Sequence, residues 1–439
     1  MWRIMDSGQS CRGGGCAVPR LGYRKPEPGA RLTDYISLGA LTHVVPPALV
    51  DDVVRQTGRQ ELRHRLLPAR VVVYYVLAMA LYSHAGYEEV MRYVVEGLSW
   101  LSHWRQGWSV PTKAAIFKGR ARLGSEPLRL LFERIARPLG QRASRGVWYR
   151  QWRLMSLDGT TLDVPDTIDN DRFFGRSKGG RGSGIGAFPK VRVVALIESG
   201  THAVVAGRVT PYRDGEITST RHLLAGAKLE PGMLVLADRG FFGYDLWTEA
   251  ADTGADLLWR VKVSLNLPML ERLPDGSYLS RIYPSQRSRR KSHQGMPVRV
   301  IEYTLDAAET DGASPTLYRL ITTVLDADMA PAAQLAPLYH ERWEIESVFD
   351  EFKTHQRGPG VVLRSKTPDG VVQEVYGYLL THFAIRSLMH DAALEADEDP
   401  DHLSFLRTLH IVRRKLSGRQ AFSPTRHSTP SPLRHRRDP

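Results

Sequence analysis

An α/β domain with a β-rich insertion, entered through a helical N-terminal domain and left through C-terminal helices, is predicted by three features of the chain. Apolar residues recur at helical spacing up to about Arg142, and from Trp148 the pattern changes to strand-like runs. Three such runs come in succession, and helical segments then alternate with further ones. Asp158 and Asp238 stand at the ends of two of these runs, which is where open α/β sheets gather ligands.

Residues 1–30 are rich in Gly, Arg and Pro and show no apolar period, so a disordered basic arm is expected there. A helical domain is expected over 31–145. The segment from Asp51 to Gln60 is amphipathic, Pro68 opens a long apolar helix through Tyr82, and Tyr87 to Leu98 follows Gly86. Pro111-Thr112-Lys113 starts another helical stretch, which Leu123-Gly124-Ser125 divides into two short pieces. That arrangement suits a helix-turn-helix, with Lys113, Lys118, Arg120 and Arg122 available for phosphates or base edges. A helical bundle with a solvated basic face fits the same pattern.

The strand-like part starts with residues 152–158, a run leading into Asp158. Lys190 to Ile197 and His202 to Pro211 follow, with a hairpin turn expected at Ser199-Gly200. A helix from Ser219 to Ala227, a strand from Met233 to Ala237 ending at Asp238, a helix from Tyr244 to Thr253 and a strand from Asp256 to Val261 complete the set. This order is that of a ribonuclease H-like α/β fold. The expected domain occupies 146–262 and 327–360.

Between 263 and 326 the helical pattern disappears. Strand-like runs at Val298 to Leu305 and Leu317 to Leu325, with a turn at 273–277, predict the β-rich insertion. The run SQRSRRKSH at 285–293 reads as a basic loop, able to track a DNA backbone or simply to be solvated. Two C-terminal helices, Val371 to Ala393 and His402 to Arg414, are expected within 361–416, and a disordered basic tail over 417–439.

The stretch from Tyr339 to Lys353 reads as one charged helix. Tyr339, Arg342, Glu346 and Lys353 fall within a sector of roughly 60° at helical spacing. Trp343, Ile345, Val348, Phe349 and Phe352 occupy other positions, so the helix can pack into a core while that row faces a cleft.

The charge balance favours a polyanionic partner: 60 Lys and Arg stand against 47 Asp and Glu, a net charge of +13, with a pI near 9.7. Nucleic acid is the first candidate. An anionic membrane surface would suit the charge as well, but the longest apolar run, Val71 to Tyr82, is too short to cross a bilayer. No secretory signal is visible, and Cys11 and Cys16 lack a second pair to complete a four-sulfur zinc site, so a cytoplasmic protein is expected. Gly182 to Ala187 fits G-x-G-x-x-A, yet it opens a strand rather than a helix, so no dinucleotide site is expected. No Walker-type sequence appears, and no nucleotide cofactor is expected.

The spacing Y-x2-R-x3-E-x6-K resembles the signature of the insertion-sequence-4 family of bacterial DDE transposases. LMSLDGTTLDVPD, with Asp158, and LVLADRGFFGYDLW, with Asp238, are similar to two other segments of that family, in the same order. The resemblance covers about residues 30–415. It implies a cut-and-paste DNA transposase that binds terminal inverted repeats, cleaves at element ends through a DNA hairpin, and joins 3′-hydroxyls to target DNA, acting as a dimer on paired ends. It also implies that Asp158, Asp238 and Glu346 hold two Mg²⁺ ions, which Mn²⁺ can replace, and carboxylates are natural ligands for these hard cations.

The same resemblance implies that Tyr339 and Arg342 hold a phosphate near the cleaved end and that Lys353 contacts the DNA backbone close to the cut. Arg239 is a further candidate for phosphate. The family's base-stacking Trp is matched here by Tyr318, with Trp259 as a substitute or a core residue. Asp163 and Asp166 read as loop or capping residues, and Asp350 as a neighbour of the metal. Two other functions fit part of this pattern: a catalytically silent DNA-binding derivative, and a ribonuclease H-like nuclease without strand transfer.

Overall fold

The structure, a computed structural model, describes residues 40–61, 67–96, 110–178, 185–226, 229–290, 295–304, 317–340, 344–358, 360 and 362–417. The expected arm over 1–30, the tail beyond 417 and Arg342 lie outside the described residues.

The N-terminal part contains α1 (Ala40–Val44), α2 (Pro47–Gln56), α3 (Ala69–Leu81), α4 (Tyr87–Glu96), α5 (Lys113–Leu123) and α6 (Glu126–Ile135). Helix α3 is apolar on every side, and Val71 through Leu81 are all buried, as an all-round hydrophobic helix requires. The side chain of Thr112 accepts a hydrogen bond from the Ala115 amide and so caps α5. Gly124, at φ 69°, ends that helix, and α6 follows at once. The turn thus lies where the Leu123-Gly124-Ser125 sequence predicts it.

The next elements are β1 (Trp148–Tyr149), β2 (Trp152–Asp163), α7 (Ile168–Phe174), β3 (Arg176–Lys178), β4 (Ile185–Glu198), β5 (Ala203–Pro211), α8 (Glu216–Leu224), β6 (Met233–Ala237), α9 (Tyr244–Ala251) and β7 (Asp256–Arg260). Strand β4 pairs antiparallel with both β2 and β5, while β2, β6 and β7 run parallel. The spatial order β5-β4-β2-β6-β7 is the ribonuclease H-like arrangement. Helix α8 starts three residues before the predicted position, because a 3-10 turn at Tyr212–Asp214 follows β5 and Gly215 at φ 75° turns the chain from it into the helix.

The β-rich insertion forms β8 (Glu271–Arg272), β9 (Tyr278–Ile282), α10 (Gln286–Arg290), β10 (Met296–Thr304) and β11 (Leu317–Thr322). Its strands do not make a body of their own. Strand β11 pairs with β7, β10 with β11, and β9 with β10, so the sheet continues through eleven strands. Arg299 is fully buried within this extension. It donates at 2.8 Å to Ser277 Oγ and at 2.8 Å to the Ala330 carbonyl, and it pairs with Asp275. The basic run expected as a loop forms the short α10 over its first residues, and 291–293 lie outside the described residues.

The remaining elements are α11 (Ala332–His340), α12 (Glu344–Asp350), a π-helical turn at Glu351–Gln356, α13 (Pro368–Ala396) and α14 (Phe405–Ser417). One face of the sheet packs Leu154, Leu236, Leu258 and Leu320 against Leu335, Leu338 and Tyr339 of α11. The core that takes in the other face joins Leu157, Val193 and Val235 with Val348, Phe352 and α13. Helix α13 passes close to α3: a Cβ at Gly377 would lie 2.8 Å from Val76 Cγ1.

The stretch expected as a single α-helix from Tyr339 to Lys353 differs at its end, where Lys353 stands in the π-helical turn. The wider i to i+5 turn changes the phase of the side chains, so one helical wheel does not describe the whole row. This turn accompanies a buried cluster. Glu351 pairs with Arg386 of α13, and the Nε2 of His382 lies 3.0 Å from its Oε2.

Candidate active site

Two parallel strands bring the aspartates together. Register along β2 and β6 pairs Leu157 with Ala237, so Asp158 and Asp238 follow side by side. Both are half-buried. Asp158 Oδ1 accepts from the Gly159 amide at 2.7 Å. On the next strand Ala237 pairs with Trp259, which puts Arg260 beside Asp238, and its Nη1 lies 4.0 Å from Asp238 Oδ1. That oxygen is buried and has no hydrogen-bond partner among the described residues. A buried carboxylate oxygen without a donor suits a cation, and an all-oxygen donor set suits a hard divalent one.

The third acid stands apart from this pair. Glu346 is exposed on α12, which packs against β2. Among the described residues no three His, Cys, Asp or Glu side chains converge closely enough to hold a metal together. Lys353, in the π-helical turn that follows α12, is near enough to Asp158 for the two charges to interact. Burial lowers its ammonium below the ordinary lysine value, Arg357 adds to the depression, and Asp158 opposes it.

The other candidates separate by environment. Tyr339, expected to hold a phosphate, is instead buried beneath the second aspartate, with its hydroxyl donating at 3.4 Å to the Ala237 carbonyl. Arg239 is exposed directly after Asp238. Lys113, Lys118 and Arg122 are exposed along α5. Arg120 is not: it is buried, donating at 2.7 Å to Gln373 Oε1, at 2.9 Å to Ser365 Oγ and at 3.0 Å to the Gly370 carbonyl. Its guanidinium therefore holds α5 against α13, and it leaves the set of candidate DNA contacts. Asp163, expected in a loop or cap, is the last residue of β2 and pairs with Lys190; Asp166 pairs with Arg176, and Asp350 lies 3.8 Å from His355.

Tyr318 sits on β11 between β10 and β7. Tyr303, directly opposite in register, stacks on it with ring centres 5.4 Å apart. From the β7 side Arg260 lies 4.1 Å from the centre of the same ring, so both faces are covered. Trp259 is fully buried against Trp247 and reads as a core residue.

Sequence reasoning missed Glu216, the first residue of α8. A Cβ added to Gly159 would lie 2.1 Å from Glu216 Oε1, and one added to Gly240 would lie 3.8 Å from its Oε2. Glu216 thus reaches the segments next to both aspartates, while Arg192 on β4 donates to it at 3.3 Å. Burial raises its carboxyl above the ordinary value; Arg192 opposes this and the charge of Asp238 adds to it. The signal available in sequence was an acid in the first turn of a helix, which is also an ordinary way to begin one.

A ribonuclease H-like sheet with two aspartates side by side, Asp158 within β2 and Asp238 just past the end of the parallel β6, defines the class, an enzyme of phosphoryl transfer on nucleic acid. Residues 152–384 match the family described as "Transposase DDE domain", and residues 35–133 match "Insertion element 4 transposase N-terminal". The chain belongs to the insertion-sequence-4 family of DDE transposases. It is 26% identical over 392 residues to "Transposase InsG for insertion sequence element IS4" of Escherichia coli (strain K12), covering 89% of this chain and 85% of that protein. InsZ of the same strain is 23% identical over 224 residues, covering 51% of this chain and 71% of its own length. A solved structure, piggyBac transposase in a synaptic complex with hairpin DNA, has a TM-score of 0.47 and 10% identity, covering 86% of this chain and 79% of that one. A DDE domain implies divalent metal ions, and DNA as partner. No described helix is long and apolar enough to cross a membrane.

Proposed function

We propose that this transposase binds the terminal inverted repeats of its own element, cleaves at the ends through a DNA hairpin, and joins the 3′-hydroxyls to target DNA. The observation that carries this reading is the side-by-side arrangement of Asp158 and Asp238, with a buried oxygen on the second that has no hydrogen-bond partner among the described residues. Asp158, Asp238 and Glu346 would hold two Mg²⁺ ions, with Mn²⁺ able to substitute. The ions, when bound, activate the attacking oxygen and stabilise the leaving one.

The chain's own residues supply the positioning. Arg342 and Arg239 grip phosphates as planar forks, Lys353 adds a point charge beside Asp158, and Tyr339 supports the strand end that carries Asp238. In each step an oxygen nucleophile bonds to phosphorus as the leaving oxygen departs. Water frees the first 3′-hydroxyl, that hydroxyl closes the hairpin, water reopens it, and the freed hydroxyl attacks target DNA. Tyr318 receives the base that the hairpin forces out of the stack. The helical domain over 31–145 contacts the ends through Lys113, Lys118 and Arg122. Two copies act together on paired ends.

The test is cleavage and joining of DNA bearing the element's own ends, in Mg²⁺, with Asp238→Asn and Glu346→Gln beside the native chain. Joined product lost in both variants, with end binding retained, supports the reading. Hydrolysis without joining by the native chain would point to a nuclease, and binding without cleavage in Mg²⁺ or Mn²⁺ to a silent DNA-binding protein.

A further inference from the structure

We propose that Glu216 is a positioning residue of the metal centre: seated on the bare α-carbon of Gly159, its carboxylate accepts hydrogen bonds from the water shell of divalent ions held by Asp158 and Asp238. The inference rests on the reading of those two aspartates as metal ligands.

Gly159 is bracketed by two acids. Its amide donates at 2.7 Å to Asp158 Oδ1, and its missing side chain leaves the space that Glu216 Oε1 fills, since a Cβ there would come within 2.1 Å. Any other residue at this position would push Glu216 away, although strand geometry alone does not call for glycine in β2. The second oxygen lies toward Gly240, two residues beyond Asp238. Arg192 holds the carboxylate from behind at 3.3 Å, and its guanidinium is 5.1 Å from the centre of the Tyr212 ring, so this donor is itself fixed.

Glu216 is not a direct ligand here, because no three acids converge to ligating distance among the described residues. An acceptor that lies beside the segments of both aspartates without converging on one point with them is what a hydrated ion can use. Magnesium keeps several of its waters, and groups that orient such outer contacts typically alter metal affinity by about 10- to 100-fold.

The test is Mn²⁺ titration of the full-length protein, with free ion read by electron paramagnetic resonance. Glu216→Gln is expected to weaken Mn²⁺ binding by about 10-fold. Glu216→Asp, which keeps the charge but is one methylene shorter, should recover part of the loss, and Gly159→Ala, which displaces the carboxylate, should reproduce it. Metal-free thermal melting separates these effects from loss of fold, and should Glu216→Gln melt early, the Asp variant carries the comparison. Native Mn²⁺ affinity in folded Glu216→Gln, with binding lost in Asp158→Asn, would overturn this inference and leave the metal centre standing. Native affinity in Asp158→Asn as well would overturn the metal-ligand reading of the aspartate itself.

Discussion

Arg260 covers one face of Tyr318, its guanidinium carbon 4.1 Å from the ring centre, while its Nη1 stays 4.0 Å from Asp238. A base can stack on that face only when Arg260 moves aside. On the proposed hairpin route, Tyr318→Ala should lower hairpin yield by about 10-fold, in line with ~1–3 kcal/mol per stacked base, and leave end binding intact. Arg260→Ala should open the ring and strengthen quenching of a 2-aminopurine placed at the flipped position. Unchanged hairpin yield in Tyr318→Ala would move the stacking role to another residue.

Arg120 and Lys118 lie two positions apart on α5 and should fail in different ways. Arg120→Ala leaves buried acceptors on Ser365, Gln373 and Gly370 without their donor. It should cost about 2–3 kcal/mol in denaturant unfolding. Lys118→Ala, at an exposed position, should leave stability within about 0.5 kcal/mol and reduce the salt slope of DNA binding by about 1. A stable Arg120→Ala protein with weakened DNA binding would restore Arg120 to the surface.

Gly377 gives α13 its close approach to α3. A methyl group there meets Val76 Cγ1 at 2.8 Å and the Val76 carbonyl oxygen at 3.2 Å. Gly377→Ala should destabilise by about 1–3 kcal/mol despite the better helix propensity of alanine. A raised thermal midpoint would show that the two helices separate without cost.

Acid should weaken the buried cluster around Glu351 in two stages. Burial holds His382 below the ordinary histidine value. Burial alone would raise Glu351, but hydrogen bonds from His202 and His382 and the charge of Arg386 outweigh it and hold the carboxyl well below its usual range. Asp401 faces the same cluster, 3.2 Å from His202 Nε2. Both shifted groups regain higher values on unfolding, so the unfolded chain takes up protons first as pH falls. The thermal midpoint should be flat above pH 7, decline below about pH 6.5 through His382, and fall further below about pH 4.3 through Glu351. His382→Gln should flatten the first decline. A midpoint that rises from pH 7 to pH 5 would contradict this account.

The strand order was legible because each run ended at a residue with its own physical meaning. Ser199-Gly200 turns the hairpin between β4 and β5, and Asp238 closes an apolar strand. The Y-R-E-K spacing marked the helical stretch but not its change to a π-helical turn, since that turn accompanies Glu351 meeting His382 and Arg386, 31 and 35 residues further along the chain. Arg120 looked like its neighbours Lys118 and Arg122, because one charged residue in a helical run does not reveal which face another helix will cover. Glu216 and Arg260 were invisible for a similar reason: each matters through register with a neighbouring strand or glycine, and single-chain periodicity carries no register.

Sheet continuity has a mechanical consequence. Arg299, buried among the outer strands, and Ala237, the residue before Asp238, belong to one hydrogen-bonded plate, linked through β10, β11, β7 and β6. A plate of this kind transmits strain along its ladders more readily than a flexible appendage would. Loosening the buried Arg299 anchor would therefore raise amide exchange at β6 together with β10, coupling the outer rim of the molecule to the acid at its centre.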